Sequence, residues 1–86
     1  MPPVTIYTKT WCPYCMAAKD LLDRKGIAFT EIEITGMPDL RGEMLTKAKG
    51  RSTVPQIFIG DRHVGGCDDL YALDRKGELE KLLAAA

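Results

Sequence analysis

Two cysteines separated by two residues, Cys12 and Cys15, restrict the fold of this chain more than any other feature. The residues before them, from 4 to 8, alternate branched and polar side chains, which is typical of a β-strand. The residues after them, from 16 to 25, are typical of a helix. The pair is therefore predicted to lie at a strand-to-helix junction, with Pro13 at the first helical position, where its missing N–H is not needed.

This position predicts different chemistry for the two thiols. Cys12 would lie at the helix N-cap, where free N–H groups, the positive end of the helix dipole and nearby Lys9 all favour a thiolate. Cys15 would lie one turn inside the helix, buried and protonated. Thiol–disulfide exchange needs such a pair, a nucleophile that opens a disulfide and a second thiol that resolves the mixed disulfide.

Composition excludes several other classes of protein. The 86 residues are predicted to form one domain, residues 1–86, and 12 basic and 12 acidic residues balance each other, so neither nucleic acid nor a membrane surface is an expected partner. Three cysteines are too few for a secreted disulfide framework, and the segment 1–4 does not have the pattern of a signal peptide. We expect a soluble, cytoplasmic monomer.

The remaining segments complete a fold prediction. They indicate a strand over 28–34, a helix from Pro38 to Gly50, a hairpin turning at Gly60, a helix capped by Asp68 and Asp69, and a last short helix after Gly77. The order β-α-β-α-β-β-α-α predicts an α/β protein with a four-stranded mixed sheet and helices on both faces. With the cysteine pair directly after the first strand, this is a thioredoxin-like fold.

Three segments, in the same order along the chain, resemble the glutaredoxin family. Residues 12–15, Cys-Pro-Tyr-Cys, are similar to its dithiol active site, Thr53-Val54-Pro55 to its cis-proline loop, and residues 65–69, Gly-Gly-Cys-Asp-Asp, to its glycine-glycine loop and acidic helix start. The resemblance covers nearly the whole chain. It implies a glutathione-dependent thiol–disulfide oxidoreductase in which Cys12 attacks and Cys15 resolves, with a cis peptide bond before Pro55.

The resemblance also implies a site for glutathione, which would serve as reductant, with no metal. A zwitterionic tripeptide needs cations at one end and an anion or a helix N-terminus at the other. The residues implied are Lys9 and Gln56 at the glycine carboxylate, Tyr14 along the edge, Thr53, Val54 and Pro55 along the backbone, and Gly66, Cys67, Asp68 and Asp69 at the γ-glutamyl end. Which aspartate contacts the ammonium is left open. Disulfide-containing or glutathionylated proteins would be the other partners, and ribonucleotide reductase is one candidate.

Rival interpretations of the same residues are a metal site and two other redox functions. Cys12 and Cys15 with His63 and Cys67 could form a zinc knuckle, although Pro13 and a helix directly after Cys12 suit a nucleophile better. The other functions are a thioredoxin-like dithiol reductase recycled by a flavoprotein, and an iron–sulfur carrier in which two Cys12 thiolates and two glutathiones hold a cluster. The family resemblance disfavours both.

Three further side chains carry expectations from their positions alone. Cys67 is expected to be a packing residue at a helix start, although a redox role is the alternative. His63 is expected to be solvated beside the hairpin turn. Trp11 is expected to be an exposed aromatic residue beside the cysteine pair, and a packing role is the alternative.

Overall fold

The predicted order of helices and strands is confirmed by a computed structural model, which describes residues 2–84. Its elements are β1 (Val4–Thr8), α1 (Pro13–Arg24), β2 (Thr30–Glu33), α2 (Pro38–Lys47), β3 (Gln56–Ile59), β4 (Arg62–Gly65), α3 (Cys67–Arg75) and α4 (Glu78–Ala84). None of these helices is long and apolar enough to cross a membrane, within the part of the chain that the structure describes.

The four strands form one mixed sheet in the order β2-β1-β3-β4. Strand β1 runs parallel to β2 and antiparallel to β3, and β3 runs antiparallel to β4. Because Tyr7 pairs with Gln56 and Ile57 pairs with Gly65, the end of β1, the start of β3 and the end of β4 meet at one edge of the sheet. The loops that follow β1 and β4, and the loop that precedes β3, therefore lie side by side.

Helices cover both faces of the sheet, as predicted. Val4 and Ile6 of β1 point to one face and pack with residues of α1, α3 and α4 in the larger core cluster. Tyr7 points to the other face, where it packs with Phe58 of β3 and Met44 of α2. This alternation is the period of two that a strand buried on both faces requires.

Helix α1 begins and ends as its sequence predicts. Cys12 is the N-cap and Pro13 the first helical residue, as predicted, and Ala18, Leu21 and Leu22 are buried. At the other end Gly26 takes a φ of 70°, and the N–H of Ile27 donates to the carbonyl of Leu22 at 2.9 Å. The left-handed glycine and this hydrogen bond across five residues form a Schellman motif, which turns the chain toward β2.

Two element boundaries differ from the prediction. Strand β2 spans Thr30–Glu33 rather than 28–34, because it is an edge strand and pairs with β1 only over those residues. Helix α2 ends at Lys47 rather than Gly50. The chain leaves the helix early because Lys49 and Gly50 both take positive φ angles, of 55° and 93°.

Candidate active site

Cys12 is held at the N-terminus of α1 by its own helix. Its backbone is extended (φ −106°, ψ 104°), and its sulfur accepts a hydrogen bond from the backbone N–H of Cys15 at 3.1 Å. This N–H belongs to the first turn of the helix, where backbone donors have no partner within the helix. The predicted cap is confirmed, and it aims a donor at the sulfur.

Cys15 differs sharply from Cys12 in its surroundings. Cys12 is half-buried, whereas the side chain of Cys15 is 1% exposed. Burial, reinforced by the hydrogen bond with Cys12, raises the pKa of Cys15 to about 12, although the backbone N–H of Lys9 acts in the opposite direction. The predicted burial of Cys15 is confirmed, and its raised pKa favours the protonated thiol.

The loop before β3 approaches the cysteine pair from the other side. The peptide bond between Val54 and Pro55 is cis, as the family resemblance implied. The carbonyl oxygen of Val54 lies 3.8 Å from the sulfur of Cys12 and accepts a hydrogen bond from its thiol. The backbone of Val54 therefore forms the wall that faces the nucleophilic cysteine.

The start of α3 forms the opposite end of the site. Its N-cap is Gly66, and Asp68 and Asp69 lie in the first helical turn, where Asp69 caps the helix as predicted. Oδ2 of Asp69 accepts the N–H of Gly66 at 2.9 Å and the Nη1 donor of Arg51 at 3.2 Å. Both donors lower the pKa of Asp69, and the backbone N–H of Gly66 has the larger effect. Its carboxylate is thus already engaged within the protein.

A cleft of about 480 Å³ lies between these walls. Eight of the ten residues predicted to bind glutathione line it, and a ninth lining residue, Arg51, was not predicted. Charge was the only signal for Arg51, a basic residue two positions before Thr53. The lining residues are Tyr14, Arg51, Thr53, Val54, Pro55, Gly66, Cys67, Asp68 and Asp69.

The two remaining predicted residues do not line the cleft. Gln56 is fully buried, and its amide nitrogen donates to the carbonyl of Thr53 at 2.9 Å, so it offers no group to a ligand and its predicted contact with a carboxylate is corrected. Lys9 is exposed at the end of β1, and its backbone N–H donates toward the sulfur of Cys15. A contact between its ammonium group and a ligand stays a prediction.

The zinc-knuckle interpretation has no support in this geometry. Within residues 2–84, no group of three or more His, Cys, Asp or Glu side chains is arranged to hold a metal ion. His63 is instead half-buried, with its Nε2 2.6 Å from Oε1 of Gln56 and its ring stacked on Phe58, so the expectation of a solvated histidine is wrong.

Cys67 and Trp11 occupy the environments expected of them. Cys67 is buried at the first position of α3, and burial, with Asp68 adding to it, raises its pKa. The side chain of Trp11 is 92% exposed beside the cysteine pair. Its φ of 59° is uncommon for a bulky residue.

Comparison with known proteins identifies the family. The sequence model of the glutaredoxin family matches residues 4–64. The chain belongs to the glutaredoxin family. A glutaredoxin of Pseudomonas aeruginosa is 62% identical over 85 residues, covering 99% of this chain and 100% of its own. Membership of this family shows that the chain is a thiol–disulfide oxidoreductase with a thioredoxin-like fold.

Solved glutaredoxin structures have the same architecture. The solution structure of glutaredoxin from Brucella melitensis is 58% identical, with a TM-score of 0.84 over 96% of this chain and 89% of that one. The crystal structure of a buckwheat glutaredoxin–glutathione complex is 35% identical, with a TM-score of 0.85 over 95% of this chain and 76% of that one. The match extends well past the cysteine pair, through all four strands.

The first prediction concerns Gly65, which allows α3 and Arg51 to approach each other. Gly65 has a φ of 117°, and a Cβ there would lie 2.8 Å from Nη1 of Arg51 and closer still to the carboxylate of Asp69. We expect Gly65→Ala to lower the free energy of unfolding, measured in urea, by about 2 kcal/mol, through backbone strain and the displaced ion pair. The matched control is Gly42→Ala, in an exposed part of α2 with open space around the glycine. This change should raise the free energy of unfolding by up to about 1 kcal/mol. Equal effects of the two changes would contradict this account.

Proposed function

We propose that this protein is a glutathione-dependent thiol–disulfide oxidoreductase that reduces glutathione mixed disulfides and protein disulfides through Cys12 as nucleophile and Cys15 as resolving thiol. The observation that carries the proposal is the unequal pair of thiols beside the cleft. One sulfur is accessible and accepts a helix N–H at 3.1 Å, and the other is 1% exposed. Only the first can meet a disulfide in solution.

The chemistry of the cleft supports glutathione as the small thiol. Val54 offers a backbone N–H and carbonyl beside Cys12, and an extended tripeptide could pair with them as an added strand. Arg51 and the start of α3 bring donors and both signs of charge to the other end, which suits the γ-glutamyl carboxylate and ammonium. The solved relative from buckwheat forms a complex with glutathione.

The route for a glutathione mixed disulfide needs Cys12 alone. The Cys12 thiolate attacks the glutathione sulfur, the Cys12–glutathione disulfide forms, and the bond to the target sulfur breaks, so that the target leaves as a thiolate. A second glutathione thiolate then attacks the bound glutathione sulfur. Oxidised glutathione leaves with that new bond, and the Cys12 thiolate is regenerated.

The route for a protein disulfide needs Cys15 as well. Cys12 forms a mixed disulfide with the target, and Cys15 then attacks the Cys12 sulfur to give the Cys12–Cys15 disulfide and the released target thiolate. Burial is the largest cause of the raised pKa of Cys15, and the hydrogen bond and charge of Cys12 raise it further. Both contributions end when Cys12 sulfur becomes part of a disulfide, so Cys15 loses its proton more readily at the step that requires it.

The two aspartates of α3 have different surroundings. Asp69 is paired with Arg51 and the N–H of Gly66. Asp68 is exposed, lines the cleft and forms no ion pair with any residue of the range 2–84. We assign the recognition of the glutathione ammonium to Asp68 for this reason, and the capping of α3 to Asp69.

The wider setting of the reaction is also part of the proposal. A cytoplasmic monomer acting on glutathionylated or disulfide-containing proteins, ribonucleotide reductase among the candidates, agrees with three cysteines that are all free thiols and with a balanced net charge. The exposed indole of Trp11 beside Cys12 provides an apolar contact for such macromolecules.

The second prediction separates the two routes. Cys12→Ser should abolish both activities, whereas Cys15→Ser should lose reduction of protein disulfides and keep removal of glutathione from mixed disulfides. A glutathione-reductase-coupled assay with one substrate of each kind measures this. If Cys15→Ser lost deglutathionylation as completely as Cys12→Ser, the single-thiol route would be wrong.

Two further measurements on the wild-type protein distinguish the rival functions. A wild-type protein that is inactive with glutathione but active with a flavoprotein reductase would be a thioredoxin-like reductase instead. Visible absorption in freshly purified protein, lost when Cys12 is replaced, would indicate an iron–sulfur carrier.

The third prediction compares the two aspartates. Asp68→Asn should lower kcat/KM for glutathione about threefold, as expected for an exposed charge pair, and leave the rate with a small uncharged dithiol unchanged. Asp69→Asn should instead lower the free energy of unfolding by about 1 kcal/mol, because the cap and the ion pair with Arg51 weaken. The assignment fails if Asp68→Asn slows both reductants equally.

A further inference from the structure

Gln56 bridges the two ends of the cis-proline loop from inside the protein. It is fully buried at the start of β3, directly after Pro55. Its amide nitrogen donates to the carbonyl oxygen of Thr53 at 2.9 Å and to the hydroxyl oxygen of Thr53 at 3.2 Å. These bonds connect the residue that follows the loop to the first residue of the loop, so they hold the backbone on both sides of Val54.

The partners of this amide determine its orientation. A carbonyl oxygen only accepts hydrogen bonds, so the nitrogen of Gln56 must face Thr53 and its oxygen must face His63. Nε2 of His63 lies 2.6 Å from that oxygen and must therefore carry the proton. Burial, with Arg51 adding to it, lowers the pKa of His63, which favours the neutral ring with its proton on Nε2. The donors thus run in one direction, from His63 to Gln56 to Thr53.

This chain of hydrogen bonds ends at Thr53, the residue directly before the backbone of Val54 that faces the nucleophile. The Val54 carbonyl is 3.8 Å from Cys12 Sγ, and Val54 lines the cleft. A loop that had to be ordered at the moment of binding would lose affinity, because ordering opposes association. A loop already held in its binding conformation avoids that loss.

We propose that Gln56, supported by His63, is a positioning residue that holds Thr53 so that the Val54 backbone is ready to pair with the glutathionyl part of a substrate. This inference rests on the proposed function. Gln56 touches no substrate, since it is fully buried. Its effect falls mainly on substrate binding, because the shorter contact of the Cys12 sulfur, 3.1 Å, is with the N–H of Cys15 in α1, whereas the Val54 carbonyl lies 3.8 Å away.

The fourth prediction tests this role with Gln56→Met, which keeps the length of the side chain and removes all three hydrogen bonds. We expect KM for a glutathionylated peptide to rise about tenfold, with kcat within about twofold of wild type, as for the loss of uniform binding. The rate at which iodoacetamide alkylates Cys12 should not change.

The matched control is Tyr7→Phe. This change removes another part-buried hydrogen bond, from Oη of Tyr7 to Glu43 at 2.7 Å, on the side of the sheet covered by α2 and outside the cleft. It lowers stability by a similar mechanism, and KM should stay within about twofold of wild type. The contrast between the two variants therefore separates positioning from a general loss of stability.

A second variant decides the question if Gln56→Met does not fold. His63→Phe keeps the ring stacked on Phe58 and removes only the donor to Gln56. Because the bonds between Gln56 and Thr53 remain, KM should rise less, about threefold, again with kcat unchanged.

The outcomes are distinguishable. The inference is overturned if folded Gln56→Met keeps the wild-type KM, if Tyr7→Phe raises KM equally, or if alkylation of Cys12 slows together with kcat. An unchanged KM in His63→Phe overturns it when Gln56→Met cannot be purified folded. A wild-type protein without glutathione-coupled activity would refute the proposed function itself, whereas an active wild type with unchanged variants refutes only the role of Gln56.

Discussion

The hydrogen bond from the backbone N–H of Cys15 to the sulfur of Cys12, 3.1 Å long, is the contact on which the rest of the site depends. It exists because Pro13 begins α1 and makes Cys12 the N-cap. The same helical turn that supplies this donor carries the Cys15 side chain under the surface. One turn of helix therefore makes two identical thiols chemically different, and the cleft beside Cys12 uses that difference.

The topology of the sheet brings the second wall of the cleft to this helix. Tyr7 pairs with Gln56, so the end of β1 and the start of β3 meet at one edge, where Val54 faces Cys12. Strand β4 ends beside them, and α3 starts there. Arg51 and Asp69, 18 residues apart in sequence, then close the far end of the cleft with an ion pair.

Local patterns were enough to predict most of the fold and the cysteine pair. The alternation in residues 4–8 and Pro13 as the first helical residue are both short-range signals, and both are confirmed. The ligand contact of Gln56 was predicted wrongly because its burial depends on β4, where His63 lies seven residues away in sequence. Arg51 was missed because its partner, Asp69, lies in α3, and the sequence alone does not reveal which charged residues pair in the fold.

The central claim is that burial keeps Cys15 a protonated thiol beside the accessible sulfur of Cys12, and a titration of Cys15 tests it most directly. The ¹³C shift of its Cβ, followed against pH in the reduced protein, should report a pKa of about 12. In Cys12→Ala the pKa should fall, because the hydrogen bond and charge of Cys12 are lost, yet stay above the ordinary thiol value, because burial is the largest cause. A Cys15 thiol that titrates at or below the ordinary value in the reduced protein would contradict the account.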